Sequence, residues 1–286
     1  MNVTLLVNTS AGEGTHSKRE LRRTLEAAGH RVELGGRKGK KLRRALGAPG
    51  DLVVAAGGDG TVGRILKALA GRAVPLAILP LGTANNIATS LGVRGSLEEL
   101  VAGWPAARRT LVRVGIARGP WGETRFIESV GVGLLARLMS PSLDRGIRDV
   151  EDARARTDRL IRALPLTRWR LELDGQDLSG DYLLVEAMNI RCVGPNLCVA
   201  QRAESGDGRL EVVLAGGEDR ATLRSLTGGA PEFGSALLPR SGRRLTVWCR
   251  RKELHVDHTY GKDLRAPRGL MRVDVELSGL GVEVLV

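Results

Sequence analysis

Apolar residues in the first hundred positions come in short blocks that alternate between two periods. Val3–Val7 is a largely apolar run of strand length, whereas from Ser17 to Ala28 the apolar positions fall to helical spacing, with Leu21 and Leu25 on one face. Arg31–Leu34, Leu52–Ala56 and Leu76–Leu79 read as further strands. Gly39–Leu46 reads as a basic helix, and Val62–Ala70 has a helical pattern. Ser96–Gly103 reads as a short helix, with Ser96 as its N-cap and Glu98 and Glu99 in its first turn. This βα rhythm predicts a parallel, doubly wound sheet, in which ligands bind beyond the carboxyl ends of the strands.

From about Arg109 the pattern changes to short strands: Thr110–Ala117, Arg125–Val130, Arg168–Leu173, Tyr182–Asn189, Arg209–Leu214, Arg244–Cys249, Glu253–Val256, Met271–Leu277 and Gly281–Val286. Several alternate strictly, as half-buried antiparallel strands do. One helical stretch, Leu143–Leu164, is dense in Arg and Asp and reads as mostly solvent-facing. Trp104-Pro-Ala-Ala-Arg-Arg109 fails to continue either period and reads as a linker. The expected fold class is therefore α/β: a doubly wound parallel sheet domain (residues 1–108), followed by an antiparallel β-rich, sandwich-like domain (residues 109–286) whose last residues pack back on the first.

Composition changes this picture in three places. Aromatics make up 3% of the 286 residues, so Leu, Val, Ile and Ala must build the core, and few rings exist to stack bases, which speaks against nucleic acid. The net charge of +12, from 44 basic and 32 acidic residues, favours anionic partners, although its being mostly Arg also suits a coding bias. Three cysteines without metal-type spacing point to a reducing cytosol and against a disulfide framework. The N-terminus reads as a strand rather than a signal peptide, and no apolar stretch reaches membrane-spanning length, so membrane contact is expected to be peripheral.

The chemistry concentrates in Gly57-Gly58-Asp59-Gly60-Thr61, between a strand and a helical pattern. Such a turn lets backbone N–H groups approach a phosphate, and the helix N-terminus adds partial positive charge. A carboxylate aimed at phosphates makes sense if it holds Mg²⁺ or takes a proton from an attacking hydroxyl. The pentapeptide therefore points to phosphoryl transfer rather than to a simple anion nest.

Two further blocks, Asn8-Thr-Ser-Ala-Gly12 and Pro80-Leu-Gly-Thr-Ala-Asn-Asn86, also follow strands. With the central pentapeptide, in this order, they resemble the diacylglycerol kinase catalytic domain family, which includes bacterial lipid kinases and sphingosine kinases and is distantly related to NAD kinases. Phe126–Gly133, Ala187–Ile190 with Gly194, and Asp207–Val212 resemble later landmarks of that family. The resemblance implies an ATP- and Mg²⁺-dependent lipid kinase acting on a hydroxyl such as that of diacylglycerol. Gly57, Gly58, Gly60 and Thr61 would cradle the phosphates, with Asp59 at the reacting phosphate. Gly82 and Thr83 would form the facing wall with Asn85 and Asn86 behind, and Asn8 and Gly12 would line the nucleotide side. Thr83 and Asn85 are also ordinary helix N-caps. Asp207 would hold a structural Mg²⁺ with the main-chain carbonyls of Glu204 and Arg209, or simply sit in a turn.

The chain departs from the family pattern in three places. Asn86 stands where an Asp is usual, and Gly63-Arg64 where Asn-Glu is frequent. Near the C-terminus, Val256-Asp257-His258-Thr259 matches a segment in which a Glu is the candidate base, so that Asp257 is kept but Thr259 replaces the carboxylate. A neutral hydroxyl is a poor base, which leaves Asp59, Asp257 or His258 to take the proton. The implied partners are a lipid substrate and, transiently, an anionic membrane surface at the cytoplasmic face, with the basic runs Arg19–Arg23, Arg37–Arg44 and Arg145–Arg162 either meeting headgroups or simply forming solvated helix faces. A kinase of a sphingoid base or another lipid alcohol, or a catalytically impaired nucleotide- or lipid-binding protein, is the alternative. Oligomeric state is left open, a homodimer included.

Overall fold

A computed structural model of the chain describes residues 1–8, 16–140, 143, 147, 149–228 and 237–286. The chain divides into two units: Met1–Val114 with Gly279–Val286, and Gly115–Ser278. Among the described residues no helix is long and apolar enough to cross a membrane.

In the first unit the apolar blocks become the parallel strands β1 (Asn2–Val7), β2 (Arg31–Gly35), β3 (Leu52–Gly57) and β4 (Leu76–Pro80), in the order β4-β3-β1-β2. The connecting helices are α1 (Lys18–Ala27), α2 (Gly39–Ala45), α3 (Asp59–Leu69), α4 (Asn86–Leu91) and α5 (Leu97–Gly103). Val3, Leu5, Val54 and Leu79 pack on one side with Leu21 and Leu25 of α1 and Val101 of α5. The alternate residues Leu6, Val53, Ala55 and Ile78 are equally buried, so the sheet is covered on both faces, which is why its strands read as apolar runs. Ser17 and Ser96 each close a capping box, with Glu20 and Glu99, and set the starts of α1 and α5 for about 1 kcal/mol apiece.

The second unit is antiparallel. It takes in the end of β5 (Arg109–Gly119), followed by β6 (Gly122–Phe126), β7 (Ser129–Gly133), β8 (Thr167–Leu173), β9 (Gln176–Asp177), β10 (Gly180–Tyr182), β11 (Leu184–Met188), β12 (Leu210–Ala215), β13 (Arg240–Gly242), β14 (Arg244–Arg250), β15 (Leu254–Val256) and β16 (Thr259–Tyr260), and the first part of β17 (Leu270–Leu285). One sheet runs β13-β12-β11-β7-β15-β16. Its residues Val130, Val132, Val185 and Ala187 share a buried cluster with Trp169 and Leu171 of β8, Val247 of β14 and Val273 of β17, the apolar faces of a sandwich. Leu184, Met188 and Val213, on the other face, meet Leu134, Leu135, Ile161 and Leu223 from helices Leu134–Leu138, Val150–Ala163 and Arg220–Ser225. The architecture is thus the α/β class expected, a doubly wound parallel sheet with a separate β sandwich.

The structure corrects four local readings. The expected strand Arg125–Val130 is broken at Ile127 and Glu128, whose amides donate to the Asp257 carboxylate instead of to a neighbouring strand. The expected strands Met271–Leu277 and Gly281–Val286 are one, β17. Within it Gly281 serves a close approach: its carbonyl accepts the Gly71 N–H, and a Cβ there would lie 2.9 Å from the Val112 carbonyl oxygen. Cys192 and Cys198 form a disulfide around the short Val193–Leu197 bridge, contrary to the expectation against disulfides. Cys249 is the free cysteine; burial pushes its thiol up to about 12, which keeps it unreactive. The helix expected over Leu143–Leu164 is observed from Val150 to Ala163, with residues 144–146 and 148 outside the described set.

Candidate functional site

The carboxyl ends of β1, β3 and β4 lie side by side, and the three sequence blocks follow from them. Asn8 leaves β1 with its amide on the Ala56 carbonyl, 2.8 Å, and Leu81 leaves β4 with its amide on the Gly57 carbonyl, 3.2 Å. Parallel pairing thus carries residues far apart in sequence to one rim. Between them opens a cleft of about 370 Å³ lined by Asn8, Gly58, Asp59, Gly60, Thr61, Arg64, Gly82 and Thr83, and by Arg37 and Lys38 from the β2–α2 connection.

The two glycine turns touch backbone to backbone. A Cβ on Gly82 would sit 2.3 Å from the Gly58 Cα, and one on Gly58 would sit 3.0 Å from the Gly82 Cα. Only glycine permits this approach, because neither neighbour has a side chain that could move aside. Asn85 fixes the second turn. It adopts a left-handed conformation (φ 52°), its Oδ1 accepts the Gly82 N–H at 2.9 Å, and its Nδ2 donates to the Gly82 carbonyl at 2.7 Å. Asn85 occupies the N-cap position of α4, yet its side chain makes no capping bond. A Gly82→Ala variant should separate the turns, with at least a ~100-fold loss in anion affinity or turnover and a small loss of stability. Calorimetric binding and thermal melting of the same sample check this.

Asp59 supplies the missing cap. Its Oδ1 accepts the Ile87 N–H of α4 at 2.9 Å, and the residue is only 9% exposed. The carboxylate therefore stands at the starts of two helices: it is the first residue of α3, and it satisfies an orphan amide of α4. Its other oxygen has no partner among the described residues. No side chain caps α3, since its N-cap is Gly58; the Thr61 amide donates to the Gly58 carbonyl at 2.8 Å, which leaves the amides of Asp59 and Gly60 for a ligand.

Three cations, Arg37, Lys38 and Arg64, line this cleft against the one carboxylate. Arg37 and Lys38 had been readable only as part of a basic run. The signal that would have found them is position, because they come directly after the carboxyl end of a parallel strand. Gly57, Asn85 and Asn86 stand behind the lining, with Asn86 2% exposed. Gly12 lies outside the described residues, as do residues 9–11 of its block.

A second constellation lies wholly in the second unit. Asp257, itself left-handed (φ 47°), spends its carboxylate on the amides of Ile127 (3.0 and 3.2 Å) and Glu128 (2.8 Å). These bonds pin the loop at Ile127 and Glu128. His258 is exposed and pairs through Nε2 with the Glu128 carboxylate at 2.9 Å, while Glu128 is 3% exposed. On β15 and β11, His255 and Glu186 are both fully buried and meet at 2.5 Å. They sit on strands flanking β7, in register with Gly131 between them. His255 Nδ1 faces the Asp257 carbonyl at 3.0 Å, so both ring nitrogens face acceptors. Burial lowers the His255 pKa, but the Glu186 charge and hydrogen bond, with the Asp257 carbonyl, outweigh it and leave it raised. A polar residue inside each of two apolar strands, Leu184–Met188 and Leu254–Val256, was the sequence signal for this pair. Asp207 is exposed, in a turn where its Oδ1 accepts the Arg209 N–H at 2.8 Å. Among the described residues, no cluster of three His, Cys, Asp or Glu side chains is placed to hold a metal.

The model of the diacylglycerol kinase catalytic domain matches residues 2–116. A diacylglycerol kinase of Mycobacterium tuberculosis (strain H37Rv) is 28% identical over 241 residues, covering 78% of this chain and 76% of the relative. A probable lipid kinase, YegS-like, of Pseudomonas putida is 32% identical over 208 residues, covering 69% of this chain and 68% of the relative. In fold, the chain is similar to the crystal structure of a putative diacylglycerol kinase from Bacillus anthracis, with a TM-score of 0.72 at 19% identity over 99% of this chain and 94% of that one. It is less similar to yeast NADH kinase complexed with NADH, with a TM-score of 0.53 at 12% identity over 100% and 83%. The chain belongs to the diacylglycerol kinase catalytic domain family and is, by that membership, a kinase.

Proposed function

We propose that the chain is an ATP- and Mg²⁺-dependent lipid kinase that transfers the γ-phosphoryl group to a lipid hydroxyl such as that of diacylglycerol. The observation that carries the reading is Asp59: a nearly buried carboxylate held by one oxygen in a cleft otherwise built for anions, from uncapped amides and three cations. A carboxylate there would repel phosphate unless a cation or a transferred proton intervened.

Asp59 fits Mg²⁺. The ion takes most of its ligands from phosphate and water, so one protein carboxylate suffices and a three-ligand cluster is not required. Bound there, it would neutralise charge on the phosphates during transfer. The chain's own residues do the positioning. Gly58 and Gly82 bring bare backbone to the phosphates, the α3 amides donate to them, and Thr61 and Thr83 offer hydroxyls at the cleft wall. Asn8 and Gly12 are proposed for the nucleotide side. Asp207, with the Glu204 and Arg209 carbonyls, remains the proposed structural Mg²⁺ position in the second unit, and no step passes through it.

In that unit Thr259 brings no carboxylate, and Asp257 is committed to two amides. Asp59, Asp257 and His258, which pairs with Glu128, are the proposed candidates for taking the proton. The acceptor is proposed to be drawn from an anionic membrane surface by the basic runs, with contact at the cytoplasmic face and no span. The test is transfer of labelled γ-phosphate to mixed micelles carrying diacylglycerol, a sphingoid base or an isoprenoid alcohol one at a time. Labelling of diacylglycerol supports the reading. Labelling of another alcohol alone reassigns the substrate, and binding of ATP with no labelled product leaves a binding protein.

A further inference from the structure

Arg64 is the helical arginine that faces the cleft, and its own helix gives it no partner. On helices elsewhere, Arg22, Arg156 and Arg162 each pair with an acid one turn away, at Glu26, Asp152 and Asp158. Around Arg64 the corresponding positions are Gly60, Thr61, Lys67 and Ala68, so α3 supplies no acid at any of them. Arg64 makes no ion pair or side-chain hydrogen bond among the described residues, and it is only partly exposed. A partly exposed guanidinium with no acid beside it is available to an anion that enters the cleft.

The same spacing explains where the side chain goes. Helical side chains lean toward the N-terminus, over the residue four before. For Arg64 that residue is Gly60, which has no side chain to block the path. Arg64 accordingly lines the cleft with Asp59 and Thr61. Arg37 and Lys38 reach the same cleft from the β2–α2 connection, and neither pairs with an acid among the described residues. Three cations facing one carboxylate repel one another until a multiply charged anion enters.

We infer that Arg64 is a phosphate clamp, a specificity-determining residue that grips a terminal phosphate of a polyphosphate and gives the cleft affinity for it even without a divalent cation. A planar guanidinium suits this, since it meets two phosphate oxygens at once. The inference rests on the nucleotide reading above, but its test is separate from that of the reading.

The test is calorimetric titration of the full chain in EDTA with inorganic tripolyphosphate and, separately, adenosine. Wild type, Arg64→Ala and Arg64→Lys are compared. Wild type should bind tripolyphosphate, and Arg64→Ala should bind it ~10- to 100-fold more weakly. Arg64→Lys should fall between, because it keeps the charge and loses the fork. Adenosine affinity and thermal melting should be the same in all three, as Arg64 has no structural partner to lose. Equal tripolyphosphate affinity in wild type and Arg64→Ala would overturn the clamp, as would a wild type that does not bind tripolyphosphate, or an equal loss of adenosine binding. Lipid-dependent turnover of ATP with Mg²⁺ by wild type is measured alongside. If it persists while Arg64→Ala binds normally, the clamp alone falls; if it is absent with every lipid, the kinase reading falls.

Discussion

Asp59→Asn should fold and melt as wild type does, and should transfer phosphate ~10³-fold more slowly or not at all. Both halves of this result follow from the two oxygens. The amide of Asn keeps an acceptor where Oδ1 now takes the Ile87 N–H at 2.9 Å, so the start of α4 stays capped. The charge is lost, and with it the ability to hold Mg²⁺ or to accept a proton. Asp59→Ala separates the two roles: it removes the cap as well and should cost about 1 kcal/mol of stability in addition to activity. Initial rates with Mg²⁺ and thermal melts of the three proteins decide the matter. An Asp59→Asn protein with normal turnover would refute the proposed chemistry, and one that failed to fold would show the capping account to be wrong.

Gly131→Ala should be among the most damaging single methyl additions to the second unit. β7 lies between β11 and β15, and Gly131 sits in register between Glu186 and His255. Its missing side chain is the gap through which the carboxylate reaches the imidazole. An added Cβ would lie 1.7 Å from Glu186 Oε1 and 2.4 Å from the Val185 carbonyl, one side chain and one piece of sheet backbone. Overpacking typically costs ~1–3 kcal/mol, and breaking a buried ion pair ~3–5 kcal/mol. Together they approach the whole stability of an ordinary domain, so a fall in melting temperature of about 10 °C or more is expected. Glu186→Gln should reproduce the electrostatic part without the clash. The pair also has a pH signature. Because the folded pKa of His255 is raised, its stabilisation is complete below the ordinary histidine value, ~6.5, and is lost as pH rises through the folded value. Melting temperatures on the alkaline side should therefore fall more for wild type than for Glu186→Gln. Parallel curves would show that the pair contributes nothing.

What the sequence disclosed was local. Apolar runs marked the strands of the parallel layer, helical spacing marked α1 and α3, and Ser96 with Glu99 marked the start of α5. The glycine blocks were legible because turns announce themselves in composition. What stayed hidden depends on contacts across the sequence. Nothing near Asp59 says that its carboxylate will cap an amide 28 residues on. Nothing at Gly58 or Gly82 says that each is required by the other. The break after Phe126 is made by Asp257, 130 residues from Ile127, and no window over Arg125–Val130 contains that information. Arg37 and Lys38 looked like part of a solvated helix face because periodicity describes a helix, not the strand end from which it departs. Glu186 and His255 were the reverse case: each was visible as a polar residue in an apolar strand, but their pairing required the strand order.

The central claim is that the Asp59 cleft moves phosphate from ATP to a lipid hydroxyl. Its most direct test is ATP consumption with Mg²⁺ in the presence and absence of diacylglycerol micelles, by wild type and Asp59→Asn at equal concentration. The expected result is turnover that depends on the micelles and disappears in the variant. Micelle-independent turnover, or equal turnover by the variant, would contradict it.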